Sequence, residues 1–278
     1  MNEELKSIVV IYHGQCYDGF GGAYVAWKKF GNQAEYIATI DRNNYPAGVH
    51  GKEVYIIDIS YSKSVTDELV ANNKKVVILD HHLTSKETVL SVPGSIFSET
   101  DSGAKIAWKY FYPNDKVPAL IEYLSDGDMW TDQLPYSEEV GGYIHIHKLE
   151  FSLFEMLEDD LEKRMDSVIE KGKVLMQQFN NLVMEHVEKA MLVEFEGYEV
   201  YAVNASSFLR SDLGHALALK KGPFSIVYRF EQDTLRISLR GDGTVDCTKL
   251  AEKYGGGGHH NAAAIIMKGK NPLPFKMV

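Results

Sequence analysis

Residues 76–85 read VVILDHHLTS, four apolar residues that run directly into Asp80, His81 and His82 before the chain turns polar. An unbroken apolar run of this length is the pattern of a strand buried on both faces, because a half-exposed strand would alternate polar and apolar positions. The pattern occurs twice upstream. SIVVIYHG (7–14) ends in His13 and a turn ahead of GFGGAYVAWKKFG (19–31), whose apolar spacing and closing Gly31 suit a helix. EVYIIDIS (53–60) carries Asp58 at its end and precedes a short helical stretch at 63–72. Such strands alternating with helices predict a parallel sheet covered on both faces, and ligands of these sheets collect at the carboxyl ends of the strands. His13 with Asp18, then Asp58, then Asp80 to His82 all arrive at that end.

The predicted fold class is therefore α/β, with an N-terminal doubly wound, mainly parallel sheet domain over 1–150. Between 151 and 190, Leu157, Leu161, Met165, Val168, Leu175, Phe179 and Leu182 form one apolar stripe, which reads as a linker helix. MLVEFEGYEVYAVNA (191–205), FSIVYRFEQDTLRISLR (224–240) and HNAAAIIMKG (260–269) have strand or hairpin character around a helical DLGHALALKKG (212–222). Residues 191–278 thus read as a smaller α+β domain.

Composition narrows the function. The 278 residues are 45% hydrophobic, enough to fill two cores, and the formal charge of −10 leaves no general positive field for a long nucleic-acid duplex. Small phosphorylated anions remain open, since an ion or a few local arginines can hold them. Cys16 and Cys247 form no CxxC pair, which argues against a disulfide framework and against a zinc ribbon. The opening MNEELKSIVVIYHG lacks a signal-peptide pattern, and no apolar run has the length of a membrane span, so a cytoplasmic, membrane-free setting is expected.

Acids gathered at one point repel one another unless something positive sits among them, and a mixed carboxylate and imidazole set suits Mn²⁺, Co²⁺, Fe²⁺ or Zn²⁺ better than Ca²⁺. One polar strand end is ordinary; three in succession are not. YLSDGDMWTDQLP (123–135) adds Asp126 and Asp128 after an apolar helical approach, its DGD reading as a turn. In KYGGGGHHNAAA (253–264), four glycines suit a backbone that approaches an anion and offers it N–H groups, with His259 next to them. RISLRGDG (236–243) puts Arg236 and Arg240 on one strand face, Arg240 at the end where it can grip a phosphate, Arg236 as a surface residue. Cations in one domain and an anion cradle in the other imply a cleft for a phosphate ester.

These stretches resemble the DHH phosphoesterase family, which includes RecJ-like exonucleases, nano-RNases, cyclic-dinucleotide phosphodiesterases and family II inorganic pyrophosphatases. HGQCYDGFGGA (13–23), VYIIDIS, VVILDHHLTS, YLSDGDMW and LRGDGTVDCTKLAEKYGGGGHHNAAA (239–264) follow the family's order and cover nearly the whole chain. The resemblance implies that His13, Asp18 and Asp58 hold one metal, with Asp58 bridging to a second held by His81 and Asp126. It implies that His82 faces the scissile phosphate while Asp80 orients its neighbours, and that Arg240, Gly256, Gly257, Gly258 and His259 grip the substrate. TDSGAKIAW (100–108), with Ser102, Gly103 and Ala104, resembles a segment packed beside the site. One departure is Phe20, where many members carry a second acid; Asp128 turning inward, or Cys16 approaching, would replace that ligand. The implied cofactor is Mn²⁺, with Mg²⁺ or Co²⁺ as alternatives, as one or two ions. The implied activity is metal-dependent hydrolysis of a small phosphorylated substrate such as a short oligonucleotide or nucleotide. The alternatives are phosphoanhydride hydrolysis of the exopolyphosphatase or pyrophosphatase type and a catalytically reduced nucleotide-binding module. A homodimer is the assembly carried with this reading.

Overall fold

Alternate residues of the parallel strands drop into two different cores, which is why their sequences show no polar face. The computed structural model of the chain describes residues 6–269 and 273–278; the first five residues of the opening stretch MNEELKSIVVIYHG, in which no signal-peptide pattern is read, lie outside them. Five strands, β1 (Ile8–His13), β2 (Ala34–Thr39), β3 (Glu53–Ile57), β4 (Lys75–Asp80) and β5 (Ile96–Phe97), form an all-parallel sheet in the order β2-β1-β3-β4-β5. On one face Val10, Tyr55, Ile57, Val77 and Leu79 pack with Tyr24 of α1 (Tyr17–Phe30). On the other, Val9, Ile11, Val54, Ile56, Val76 and Ile78 pack with Leu69 of α2 (Lys63–Asn72) and Val89 of α3 (Lys86–Leu90). Successive side chains of a strand point to opposite faces, so each strand feeds both cores.

Helices α4 (Gly103–Phe111), α5 (Ala119–Asp128), α6 (Ser137–His145) and α7 (Phe151–Lys163) complete the first core with Ala104, Leu124, Tyr143 and Phe154. The stretch read as one linker helix is two helices, α7 and α8 (Met165–Glu188), separated at Arg164, whose φ of −137° and ψ of 31° leave the helical region. The Arg164 amide still donates to the Asp160 carbonyl and its guanidinium pairs with the Asp160 carboxylate, so the apolar stripe continues across the break and periodicity alone does not show it. Two compact units divide inside α8, between Met176 and Gln177. Leu157, Leu161 and Val168 belong to the core of the first unit; Phe179, Val183 and Val187 pack in a core of the second.

The second unit is a seven-stranded sheet built from β6 (Met191–Phe195), β7 (Tyr198–Asn204), β8 (Phe224–Glu231), β9 (Thr234–Gly241), β10 (Gly257–His259), β11 (Ala262–Lys268) and β12 (Lys276–Met277) in the order β10-β11-β9-β8-β7-β6-β12. Only β7 and β8 pair in parallel. Leu213 and Leu217 of α9 (Arg210–Lys220) cover one face, and Cys247, Leu250 and Ala251 of α10 (Cys247–Glu252) the other. The fold is thus α/β with a second, mixed-sheet unit. Among the described residues no helix is long and apolar enough to cross a membrane.

Candidate metal centre

Strand register brings the first ligands together. Tyr12 of β1 pairs with Ile57 of β3, and Ile57 pairs with Leu79 of β4, so the next residues, His13, Asp58 and Asp80, emerge side by side at the carboxyl edge. β1 and β3 flank the point where strand order reverses, the place where open parallel sheets bind ligands. Asp58 itself sits at φ +61°, a left-handed conformation that is uncommon outside glycine and costs energy, held by its amide bond to the Leu79 carbonyl at 2.9 Å.

The Asp58 carboxylate, 1% exposed, offers its two oxygens to different imidazoles: Oδ2 lies 3.2 Å from His13 Nδ1 and Oδ1 lies 3.1 Å from His81 Nε2. Burial opposes its ionisation, but these hydrogen bonds prevail and hold the carboxyl down at about 2. Burial also disfavours a charged His81, and again loses: the Asp58 bond and the charge of Asp128, 3.4 Å away, push the imidazole up to about 9. Asp80 is fully buried and accepts from the His81 and His82 amides, from Ser60 Oγ and, at 2.7 Å, from His82 Nδ1. That bond fixes the His82 ring and turns Nε2 toward the exposed Arg42 guanidinium, 3.5 Å away. Arg42 stands in a polar loop without periodicity, and nothing in the sequence marked it.

Asp18, on the first turn of α1, is drawn to the N-terminus of α4. Its carboxylate accepts from Ser102 Oγ, from the Gly103 amide at 2.7 Å and from the Ala104 amide at 3.0 Å, so Ser102, Gly103 and Ala104 position a site residue besides packing beside it. A helix N-terminus favours a negative charge. Burial and the neighbouring Asp58 and Asp128 nevertheless raise the Asp18 carboxyl well above its ordinary value, and burial with Asp58 raises Asp128 too. Cys16 shares the pressure: burial first, then Asp58, pushes its thiol up to about 12.

Asp126 does not reach this group. The DGD read as a turn is the last turn of α5, and residues two apart on a helix point about 200° apart around its axis, so Asp126 and Asp128 cannot face the same place. Asp128 turns to His81, as the departure at Phe20 had suggested. Asp126 instead accepts from Thr131 Oγ1, Ser137 Oγ and the amides of Gln133 and Leu134, tying down a loop in which Trp130, Asp132 and Tyr136 all have positive φ. Phe20 is buried against Phe151, Phe154 and Tyr12 and takes no part in the centre.

In the second unit the glycine stretch is a hairpin. A Cβ on Gly258, at φ +153°, would meet the Ala262 carbonyl oxygen at 2.4 Å, so close strand approach accounts for this glycine. His259 pairs with Ala262, which pairs with Arg240, placing the three in one row across β10, β11 and β9 on a common sheet face. The backbones of His259 and Arg240 are about 9–10 Å apart at strand spacing, with only a small side chain between them. Gly256 and Gly257 precede that row. Arg240 is half-buried, bonded to Ser211 Oγ at 3.2 Å, and burial with the nearby Arg210 lowers its pKa; Arg236 is paired with Glu231 as a surface residue.

Among the described residues, three sets of donor atoms each lie within 4.8 Å of one another: Asp58 with Asp80, His81 and His82; His13 with Cys16 and Asp58; and Asp18 with His81 and Asp128. Buried carboxylates that raise one another's proton affinity, beside imidazole nitrogens, are a donor set that could hold a divalent metal ion.

No protein-family model matches the chain. The uncharacterized protein R106 of Acanthamoeba polyphaga mimivirus is 30% identical to it, over 97% of this chain and 70% of that protein. Among solved structures, the DHH domain of a member of the s1p family of ribosomal proteins superimposes with a TM-score of 0.61 at 12% identity, over 95% of this chain and 83% of that one. The pGpG-specific phosphodiesterase PggH of Vibrio cholerae gives 0.53 at 16% identity, over 95% and 94%. The exonuclease RecJ, solved with manganese bound, gives 0.53 at 11% identity, over 95% and 86%.

Proposed function

The chain belongs to one family with the mimivirus protein R106 and has the fold of the DHH phosphoesterases, and from this premise we propose that it is a metal-dependent phosphoesterase acting on short oligonucleotides or nucleotide phosphates. The observation that carries the reading is the Asp58 carboxylate with one oxygen at His13 and the other at His81, both on the edge where parallel sheets bind ligands. His13, Asp58, Asp18, His81 and Asp128 would hold one or two ions, Mn²⁺ by preference with Mg²⁺ or Co²⁺ as substitutes, in a cytoplasmic setting. Such an ion supplies Lewis-acid activation of water, lowering its pKa from about 15.7 toward roughly 7, and offsets phosphate charge.

The chain's own groups do the rest. Asp80 holds His82 by Nδ1, so Nε2 would stabilise the departing oxygen or protonate it, and Arg42 beside it would take up charge on the phosphate. In the second unit, Arg240 and His259 share one row of their own sheet beside Gly256 to Gly258, a set of groups that would hold a phosphate. A net charge of −10 gives no general attraction for a long strand, which favours small substrates; the likeness to a pGpG phosphodiesterase supports the same class.

The test is hydrolysis of bis(p-nitrophenyl) phosphate, a dinucleotide, a nucleotide 3′-phosphate, a cyclic dinucleotide and polyphosphate, each with and without Mn²⁺. Faster turnover of the dinucleotide or nucleotide, lost on chelation, is expected. Polyphosphate as the preferred substrate would replace this reading with phosphoanhydride hydrolysis, and tight binding without turnover in any metal would replace it with a binding module.

A further inference from the structure

The ligand set around His13 is one donor short of what the family resemblance implies. Asp18, expected there with His13 and Asp58, is engaged by Ser102, Gly103 and Ala104, and its oxygens group with His81 and Asp128 instead. Phe20, the position of the other expected acid, lies in the aromatic core. What does stand next to His13 and Asp58 is sulfur: Cys16 Sγ, a His13 ring nitrogen and an Asp58 oxygen all fall within 4.8 Å of one another. Cys16 is only partly buried, at the residue that opens α1, where its carbonyl accepts from the Phe20 amide at 3.0 Å and so holds the residue in place.

We propose that Cys16 is a metal ligand, completing with His13 and Asp58 a mixed sulfur, nitrogen and oxygen subsite that takes a borderline or soft divalent ion in preference to hard Mg²⁺. This rests on the reading of the centre as metal-binding. The thiol gives its proton to solvent as the sulfur–metal bond forms, so the donor is a thiolate and no oxidant or reductant is consumed. Thiolate donors select against magnesium, which binds oxygen almost alone, and raise affinity for zinc, cobalt or cadmium. The second set, Asp18 with His81 and Asp128, has no sulfur and keeps the harder preference. The two subsites would then differ in the ion each holds best.

The experiment titrates the metal-free full-length protein with Co²⁺ and records the near-ultraviolet sulfur-to-cobalt charge-transfer band, with bound Co²⁺ measured separately by equilibrium dialysis. The band is expected in the wild type and in Cys247→Ser, which removes the other cysteine, and is expected to vanish in Cys16→Ser. Cys16→Ser should weaken Cd²⁺ binding at least tenfold and Mg²⁺ binding less than threefold. Bound Co²⁺ without the band in the wild type would overturn the assignment of Cys16 while sparing the metal centre; no bound Co²⁺ at all would overturn both. To avoid dependence on how Cys16→Ser folds, iodoacetamide labelling of Cys16 in the Cys247→Ser protein should slow at least tenfold when Co²⁺ is bound, and an unchanged rate sinks the idea.

Discussion

Asp58 meets His81 through Oδ1 and Nε2 at 3.1 Å while its other oxygen turns to His13, so a single carboxylate faces both sides of the centre. Asp58→Asn tests this without disturbing the backbone, because Asn tolerates the left-handed φ of +61° better than Ala does. Mn²⁺ affinity measured by calorimetry should fall more than tenfold and turnover by roughly a thousandfold or more, the scale for a group at the heart of a catalytic unit. Circular dichroism should be unchanged. A variant that still turns over would remove Asp58 from the reaction.

Asp126 and Asp128 should separate cleanly in two assays. Asp126→Ala leaves two amides and two hydroxyls of the 131–137 loop without their acceptor and should cost about 1–3 kcal/mol in urea unfolding. Asp128→Asn removes a carboxylate whose pKa burial and Asp58 already raise, so the metal-free protein should be no less stable, while metal affinity drops. The reverse pattern would mean that Asp126, not Asp128, serves the centre.

His81 sets the pH behaviour of the metal-free protein. Its folded pKa of about 9 lies above the ordinary 6.5, so its stabilising charge is fully present below 6.5 and is lost as pH rises through about 9. Tm in a chelator should therefore decline across that window, and His81→Gln should flatten the decline. With Mn²⁺ the trend should reverse, since proton and ion compete for Nε2 and affinity rises until the imidazole is neutral. Asp58 acts at the other end: held near 2, it contributes stability above its ordinary 3.8 that disappears as pH falls toward 2.

Arg42 is predicted to bind substrate. Arg42→Ala should raise KM for a nucleotide severalfold with a smaller change in kcat, and Arg42→Lys should restore part of the loss, since the charge returns without the fork. Because the side chain is exposed, stability should stay within about 0.5 kcal/mol. An unchanged KM would leave the 3.5 Å approach to His82 without a role.

What the sequence showed of this site depended on how local the signal was. His13, Asp58 and Asp80 to His82 were legible because a strand buried on both faces shows its end as the first polar residue. Asp126 against Asp128 was not, since the choice depends on the rotation of α5 about its own axis and the DGD looked like a turn. The bond from Ser102 to Asp18 spans 84 positions; the family resemblance put 100–108 beside the site, but nothing local in either stretch shows the bond itself. The break at Arg164 was hidden by the stripe that continues through it, although the α/β class was plain from the strand textures.

Gly103 offers the sharpest packing test, because the start of α4 touches both acids at once. A Cβ there would lie 2.6 Å from Asp58 Cβ and 2.9 Å from Asp18 Oδ2. Neither neighbour is the loose end of a flexible chain: Asp58 is fixed at an unfavourable φ, and Asp18 is held by the very amide of residue 103. Gly103→Ala must therefore push α4 away from the tip of β3, at about 1–3 kcal/mol for overpacking. Metal affinity should fall roughly 10- to 100-fold, as when a group supporting a ligand is lost. Gly127→Ala, on α5 between the two acids, meets nothing within 4 Å and should be neutral or stabilising by up to about 1 kcal/mol, with wild-type Mn²⁺ binding. Equal Mn²⁺ affinity for the two variants would show that the approach of α4 does not position the carboxylates.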